Sequence, residues 1–242
     1  MSELVNLSET TVLKDGNAFC VAMRDGRLPL VGDHPLGVYR DDCRHLRGYE
    51  LLLAGRPPRL LVGSDEAGSG AVFELTNPEL TLPDGGTLPL QSLRLRVARR
   101  IGPRVMVDRI TLRSHAREPV ELDLELGVDA DFLPMLEVRG LASPREREIR
   151  RRASADTLTL SAIGLDNRER STTITCHGAT AHDDGRFQIP ISLRPGEHRT
   201  LDVVISLMQP GDEPTVREKP DAHASMAEAG AAADGWLGSV RA

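Results

Sequence analysis

The sequence predicts an all-β protein, built as a large two-sheet antiparallel β-sandwich. Apolar and polar residues alternate with a period of two in many short runs, and turn-forming residues separate these runs. No convincing helical stripe appears before residue 210, and strands do not alternate with helices. The chain has 242 residues, of which 27% are charged and 40% hydrophobic. This composition is typical of a folded globular protein with a sizeable core.

The clearest alternating run covers residues 120–128, where five apolar side chains share one face and three carboxylates share the other. This pattern is typical of an antiparallel strand with one buried face. Residues 93–97 repeat it with arginines on the outer face, and residues 201–207 repeat it with a mixed outer face. Seven further runs predict strands, at residues 12–23, 50–61, 71–80, 105–113, 157–163, 171–177 and 187–193.

Composition divides the chain into two parts. Residues 1–210 form the predicted β-sandwich domain, and residues 211–242 form a short helical or disordered linker that leads towards a further domain. Only seven residues are aromatic, so the core is expected to consist of Leu, Val, Ile and Ala. The single tryptophan, Trp236, is expected either to fold back on the sandwich or to pack against a neighbouring domain.

Charge and motifs exclude several classes of function. The net charge of −6 gives no general attraction to nucleic acid or to an anionic membrane surface. Nucleotide-binding glycine loops are missing, and no stretch has the length of an apolar membrane span. Three widely spaced cysteines do not suggest a disulfide framework, which favours a reducing cytoplasm, and the N-terminus lacks the pattern of a secretory signal. Among 30 basic residues only Lys14 and Lys219 are lysines, a bias typical of a GC-rich bacterial genome.

The densest polar cluster is Asp-Asp-Cys-Arg-His at residues 41–45. Two adjacent aspartates on an extended chain point to opposite faces, so a buried Asp–Arg contact or a turn cap is favoured over acid–base chemistry. Cys43 with His45, and Cys176 with His177, lie too far apart in sequence to favour a zinc site. No cofactor or metal is therefore predicted. The arginine-rich run at residues 145–152 is expected to be a solvated loop or the rim of a sheet.

Residues 37–51 resemble the N-terminal domain of bacterial and archaeal glycogen debranching enzymes of the amylo-α-1,6-glucosidase type. That family has Gly-Leu-Phe, then Asp-Thr-Arg, then a strand that begins near Glu-Leu. Residues 129–140 are similar to its Ala-Asp-Phe followed by Phe-Glu-Val-Arg-Gly, and residues 73–78 resemble its strand ending in Thr-Asn-Pro. The chain departs from the family pattern at Tyr39 for Phe, Cys43 for Thr and Leu136 for Phe.

The resemblance implies a supersandwich-like domain with a role in carbohydrate metabolism. In that family a following (α/α)₆ barrel carries the glycosidic chemistry, and this chain ends at Ala242, about where such a barrel would begin. We therefore expect a non-catalytic accessory domain that packs against a glycosidase barrel, in the same chain or as a separate one. Its expected contact residues are charged groups near the two motifs: Asp41, Asp42, Arg44, Asp131, Glu137 and Arg139.

Two alternatives remain open at this point. A stand-alone carbohydrate-binding module that takes up α-glucan would need exposed, coplanar rings, for which Tyr39, Tyr49 and Trp236 are the candidates. A small hydrolase would need Asp41 or Asp42 at ~5–9.5 Å from Glu137 across a cleft. If the domain lacks its partner, we expect an exposed apolar patch and self-association as a homo-oligomer.

Overall fold

A computed structural model describes residues 10–66, 68–143, 145 and 147–212 of the chain. The described residues form eighteen strands and one helical turn, and all strand pairings are antiparallel. The predicted all-β fold class is confirmed. The elements are β1 (Thr10–Asp15), β2 (Ala18–Met23), β3 (Gly37–Arg40), β4 (Cys43–Leu46), β5 (Gly48–Leu53), β6 (Arg59–Glu66), β7 (Gly70–Thr76), β8 (Leu80–Thr81), β9 (Thr87–Leu88), β10 (Leu93–Gly102), β11 (Val105–Ser114), β12 (Val120–Asp129), α1 (Met135–Val138), β13 (Arg150–Ser154), β14 (Thr157–Ile163), β15 (Glu169–Cys176), β16 (Thr180–Ala181), β17 (Arg186–Leu193) and β18 (His198–Met208).

Sixteen of the described strands are arranged in two layers, and β8 and β9 form a separate two-stranded sheet. One layer is an eight-stranded sheet, here called the large sheet, with the order β13-β14-β15-β18-β11-β10-β7-β6. Two four-stranded sheets form the second layer: the N-terminal sheet, β1-β2-β3-β4, and the small sheet, β16-β17-β12-β5. Arg99 of β10 contacts Cys20 in the N-terminal sheet at 3.8 Å and lies over the Tyr49 ring in the small sheet at 5.0 Å. Both smaller sheets therefore cover the same face of the large sheet.

The core lies between the two layers and consists mainly of aliphatic side chains. Alternate residues of β10, β12 and β17 are buried, as the period-two patterns predicted. Phe73 and Phe187 are the largest purely apolar side chains with almost no exposure, and most other core side chains are aliphatic. Burial of this apolar surface is the main source of stability for such a fold.

Each of the ten predicted runs contains at least one strand, but the structure adds strands that the patterns missed. Residues 12–23 form the hairpin β1–β2, and residues 50–61 are divided between β5 and β6. The missed strands β3 and β4 are buried on both faces and therefore show no alternation. No helix in the described chain has the length and apolar character of a membrane span, since α1 is a single turn. The predicted linker beyond residue 212 and Trp236 lie outside the described residues.

Candidate functional site

Asp41 and Asp42 form the two-residue turn between β3 and β4. Both have positive φ angles, 46° and 60°, as a type I′ hairpin turn requires, and aspartate tolerates this conformation better than most residues. The chain therefore bends sharply here and does not run extended. The Asp41 carboxylate accepts a hydrogen bond from the Asn17 amide at 2.9 Å and lies 3.4 Å from the Arg40 guanidinium. The Asp42 side chain is exposed and has no hydrogen-bond partner among the described residues.

Arg44 joins this hairpin to the segment that follows β12. Its buried guanidinium donates to both oxygens of Asp131, at 3.1 Å for the Nε–Oδ1 pair, and to the carbonyl of His34 at 2.6 Å. The backbone N–H of Arg44 donates to the carbonyl of Leu133 at 2.9 Å, and that of Met135 donates to the carbonyl of Asp42 at 2.8 Å. The two stretches that carried the family resemblance thus lie side by side, joined by a bidentate ion pair.

Glu137 lies on α1 and forms a second ion pair. Its carboxylate accepts two hydrogen bonds from Arg147, at 2.9 and 3.1 Å, and one from the backbone N–H of Arg145 at 3.0 Å. Both paired side chains are almost completely buried. The hydrogen bond from Arg147 lowers the pKa of Glu137, which keeps this carboxyl ionised. A general acid in a glycosidase needs a raised pKa, so this environment does not favour the hydrolase alternative.

The arginine-rich run at residues 145–152 is therefore not wholly solvated. Arg147 is buried against Glu137, and Arg151 pairs with Asp129 at 2.7 Å. The prediction of a sheet rim holds for β13, the edge strand of the large sheet that contains Arg150. Asp129 also accepts a hydrogen bond from Arg47 at 3.3 Å. Three arginines that were not among the six predicted contact residues thus hold this region together: Arg47 of the first motif, and Arg147 and Arg151 of the arginine-rich run.

The end of the described chain lies against the same hairpin. Asp212 forms a bidentate ion pair with Arg40, at 2.9 Å for the Nη2–Oδ1 pair, and lies 3.3 Å from Arg104. The hydrogen bond from Arg40 lowers the pKa of Asp212 to about 2. The side-chain amide of Gln209 donates to the carbonyl of Arg40 at 2.8 Å. Asp212, the last described residue, therefore lies beside the β3–β4 hairpin.

His45 is buried under the hairpin as a neutral imidazole. Its Nε2 lies 3.1 Å from the amide nitrogen of Gln209, and its Nδ1 lies 3.2 Å from the hydroxyl of Thr172. Because the amide nitrogen is a donor, Nε2 must accept, and the ring proton is then on Nδ1. The ring also meets Phe132 edge-on, at 5.6 Å between centroids. Burial and the charge of Arg40 lower the pKa of His45 to about 3.

Four exposed residues cover this framework, and we call them the hairpin–loop surface: Asp42, Leu136, Arg139 and Leu141. Leu136 and Leu141 are 61% and 73% exposed, which is high for large apolar side chains. The Arg139 side chain is exposed, and no hydrogen bond or ion pair to it occurs within the described part of the chain. Leu136 occupies a position at which the family has Phe. The structure thus joins two of the six predicted residues, Arg44 and Asp131, in one ion pair and places the others around it.

The described aromatic residues do not form an open platform for sugars. Tyr39 is buried, stacks on Phe19 at 4.7 Å and donates its hydroxyl to the carbonyl of Pro35 at 2.7 Å. Tyr49 is buried beneath Arg99. Trp236 lies outside the described residues. The ring pair required by the carbohydrate-binding alternative is therefore not formed by the two tyrosines. Within the described ranges, no group of His, Cys, Asp and Glu side chains is arranged to hold a metal ion.

Solved structures share this fold. A candidate kojibiose phosphorylase from the human microbiome matches with 10% identity and a TM-score of 0.55, over 84% of this chain and 30% of that one. The Slr1438 protein from Synechocystis sp. PCC 6803 matches with 8% identity and a TM-score of 0.51, over 82% of this chain and 95% of that one. At these identities the likeness concerns the fold alone. The chain spans about a third of the length of the phosphorylase candidate.

Together, the sheets and the paired hairpin and loop define an all-β domain of the sandwich class. Residues 13–204 match the model of a family described as the N-terminal domain of some glycogen debranching enzymes. Because this match covers most of the chain, the protein belongs to that family, and the resemblance found at residues 37–51 and 129–140 is confirmed. No curated protein sequence matches the chain significantly.

Proposed function

We propose that the chain is a non-catalytic accessory domain of a glycogen-debranching-like, α-glucan-acting protein. In this role it packs against an (α/α)₆ glycosidase barrel through the hairpin–loop surface and helps to shape the substrate cleft. Family membership supports the debranching context. The observation that carries the proposal is the pair of exposed leucines, Leu136 and Leu141, on a loop that buried ion pairs hold in place.

The rigidity of this loop favours docking. Arg44 with Asp131, and Glu137 with Arg147, fix the loop before any partner arrives, so little conformational entropy remains to be lost on binding. The exposed leucines supply apolar area, and Asp42 and Arg139 supply charges without described partners at its margin. This arrangement of an apolar centre with a polar rim is typical of protein–protein interfaces.

The position of Asp212 supports the same surface. Asp212 is held by Arg40, the residue that precedes Asp41, so the last described residue lies near the hairpin that carries Asp42. A barrel supplied as a separate chain would meet the same exposed residues.

The test combines the 242-residue chain with the (α/α)₆ glycosidase barrel encoded in the same genome. We expect the two to associate in calorimetric titration, and the double variant Leu136→Glu/Leu141→Glu to weaken the association by about tenfold to a hundredfold, as for hot-spot residues. Leu90→Glu is the matched control. Leu90 is 55% exposed and lies before the start of β10. Arg104, which contacts Asp212, lies just after the end of β10. Because the ten residues of β10 span roughly 30 Å, Leu90 is far from Asp212.

Three results would contradict the proposal: no association with the barrel, equal weakening by Leu90→Glu, or release of glucose from limit dextrin by the chain alone. A parallel titration with maltooligosaccharides addresses the carbohydrate-binding alternative. Tight glycan binding by the isolated chain that is unchanged in the double variant would favour that alternative over docking.

A further inference from the structure

The outer face of the large sheet carries a cluster of cationic side chains where β10 begins and β11 ends. Cross-strand pairing places Arg94 of β10 directly opposite Arg113 of β11, and Arg113 directly opposite His198 of β18. Arg96 lies two residues along β10 from Arg94 and therefore on the same face. We call these four exposed residues the cationic patch: Arg94, Arg96, Arg113 and His198.

The positive charge of this patch is not balanced within the described residues. One carboxylate serves two of its arginines: Glu74 of β7 accepts a hydrogen bond from Arg94 at 2.9 Å and one from Arg96 at 3.0 Å. Arg113 forms no hydrogen bond or ion pair with any described residue. Like charges on directly opposite residues of a strand pair are destabilising. An anion bound between Arg94 and Arg113 would relieve this repulsion.

Two threonine hydroxyls lie in the next row of the same face. Thr111 of β11 pairs with Arg96 on one side and with Thr200 of β18 on the other. The two threonine hydroxyls are 3.2 Å apart. Guanidinium groups bind the oxygens of phosphate through paired hydrogen bonds, and hydroxyl groups both donate to and accept from sugar hydroxyls. The two rows together therefore fit an anionic group on a chain that is rich in hydroxyls.

We propose that the cationic patch binds a phosphate ester carried by an α-glucan chain. The phosphate lies between Arg94 and Arg113, and the sugar hydroxyls beside it contact Thr111 and Thr200. The α-glucan in this inference rests on the proposed function. The phosphate rests on the unbalanced charge of the patch.

The charge distribution favours isolated phosphates on a neutral polymer over a dense polyanion. The chain has a net charge of −6, and Glu121, Asp123 and Glu125 lie on the outer face of the small sheet. This net charge repels a polyanion that extends well beyond the patch. Screening limits the reach of a charge to about 8 Å at physiological ionic strength, so an isolated phosphate interacts mainly with the nearest arginines.

Calorimetric titration of the 242-residue chain with a phosphorylated maltodextrin tests the proposal. We expect binding that weakens as the salt concentration rises. Treatment of the same maltodextrin with a phosphatase should weaken binding by about tenfold or more, because hydrogen bonds to a charged group are lost.

The variant Arg113→Glu separates binding from folding. It places a carboxylate opposite Arg94, so binding of the phosphorylated maltodextrin should fall by about tenfold, while the midpoint of thermal unfolding should stay the same or rise. Arg150→Glu is the matched control, because it changes the net charge equally. Arg150 is an exposed arginine of β13, at the edge of the same sheet and four strands away from β11. This variant should keep its affinity.

The inference and the proposed docking to a barrel can fail separately. Leu136→Glu/Leu141→Glu should leave binding of the phosphorylated maltodextrin unchanged, and Arg113→Glu should leave association with the barrel unchanged. The inference would be overturned by no measurable binding, by equal binding before and after phosphatase treatment, or by equal loss of affinity in Arg113→Glu and Arg150→Glu. Tighter binding to vesicles of anionic phospholipid than to the phosphorylated maltodextrin would also overturn it.

Discussion

Arg99 is the largest fully buried side chain among the described residues, and its charge is matched within the core. It donates to both oxygens of Asp108, at 2.8 and 2.7 Å, and to the carbonyl of Gly26 at 2.7 Å. The guanidinium also lies over the rings of Tyr49 and Phe73. A buried ion pair contributes little net stability compared with apolar residues of similar volume, but breaking it leaves an uncompensated charge. Arg99 therefore makes the sandwich sensitive to loss of its partner.

The variant Asp108→Asn tests this sensitivity. It leaves the buried guanidinium without its counter-ion, and we expect the free energy of unfolding to fall by about 3–5 kcal/mol. Chemical denaturation monitored by circular dichroism measures this change. The double variant Arg99→Met/Asp108→Leu removes both charges and is expected to cost less than the single one. A double variant that is less stable than Asp108→Asn would show that the ion pair itself, and not the orphaned charge, supplies the stability.

His45 predicts how stability depends on pH. Its pKa is about 3 in the folded chain, against about 6.5 when unfolded. Below pH 6.5 the unfolded chain binds a proton that the folded chain refuses, so the free energy of unfolding falls as pH decreases towards 3. The contribution approaches about 1.4 kcal/mol per pH unit. In the variant His45→Gln, the free energy of unfolding measured by denaturation should fall less steeply between pH 7 and pH 5. This range lies above most carboxyl pKa values. Equal slopes in the wild-type protein and in His45→Gln would refute the assignment.

At the scale of elements, α1 and its flanking loop depend on one ion pair. Glu137→Gln removes the charge that compensates buried Arg147 and weakens the hydrogen bond from the Arg145 N–H. We expect a local loss of about 2 kcal/mol, because hydrogen bonds to charged groups contribute that much. Amide exchange of residues 133–141 should then accelerate roughly 30-fold, since each 1.4 kcal/mol is a factor of ten. Glu169→Gln, at an exposed position of β15, is the control, and unchanged exchange in Glu137→Gln would contradict the role of the pair.

The strand elements also show which parts of the fold a single sequence reveals. Alternation located β12 and β17 because each has one buried and one exposed face. It missed β4, whose Arg44 and His45 look like surface residues but are buried by partners distant in sequence. Arg44 and Asp131 are 87 residues apart, so no local pattern could pair them. The family resemblance identified the two stretches that contain Arg44 and Asp131, but only the three-dimensional structure shows that these stretches are in contact. The same reason explains why Arg40 and Asp212 were not predicted.

On the scale of the whole molecule, polar contacts connect the two layers at several points. Arg99 joins the large sheet to both smaller sheets, and His45 of β4 meets Thr172 of β15. Arg40 of β3 donates to the carbonyl of Leu207 in β18 at 2.6 Å. Because such contacts need exact geometry across the core, separating the layers breaks all of them at once. We therefore expect the described sandwich to unfold as a single cooperative unit.

The three cysteines test this cooperativity. Cys20 and Cys43 lie in the N-terminal sheet and Cys176 in the large sheet; all are buried, and burial raises the pKa of Cys43 and of Cys176 to about 12. We expect none to react with an aromatic disulfide reagent while the chain is folded, and all three to react at one common rate under mildly denaturing conditions. Mass spectrometry of the labelled peptides measures each rate. Asp108→Asn should raise the three rates equally, whereas Glu137→Gln should raise only that of Cys43, which bridges to Pro134 in the loosened loop. Rapid labelling of Cys176 alone would instead mean that the large sheet opens independently of the layer that covers it.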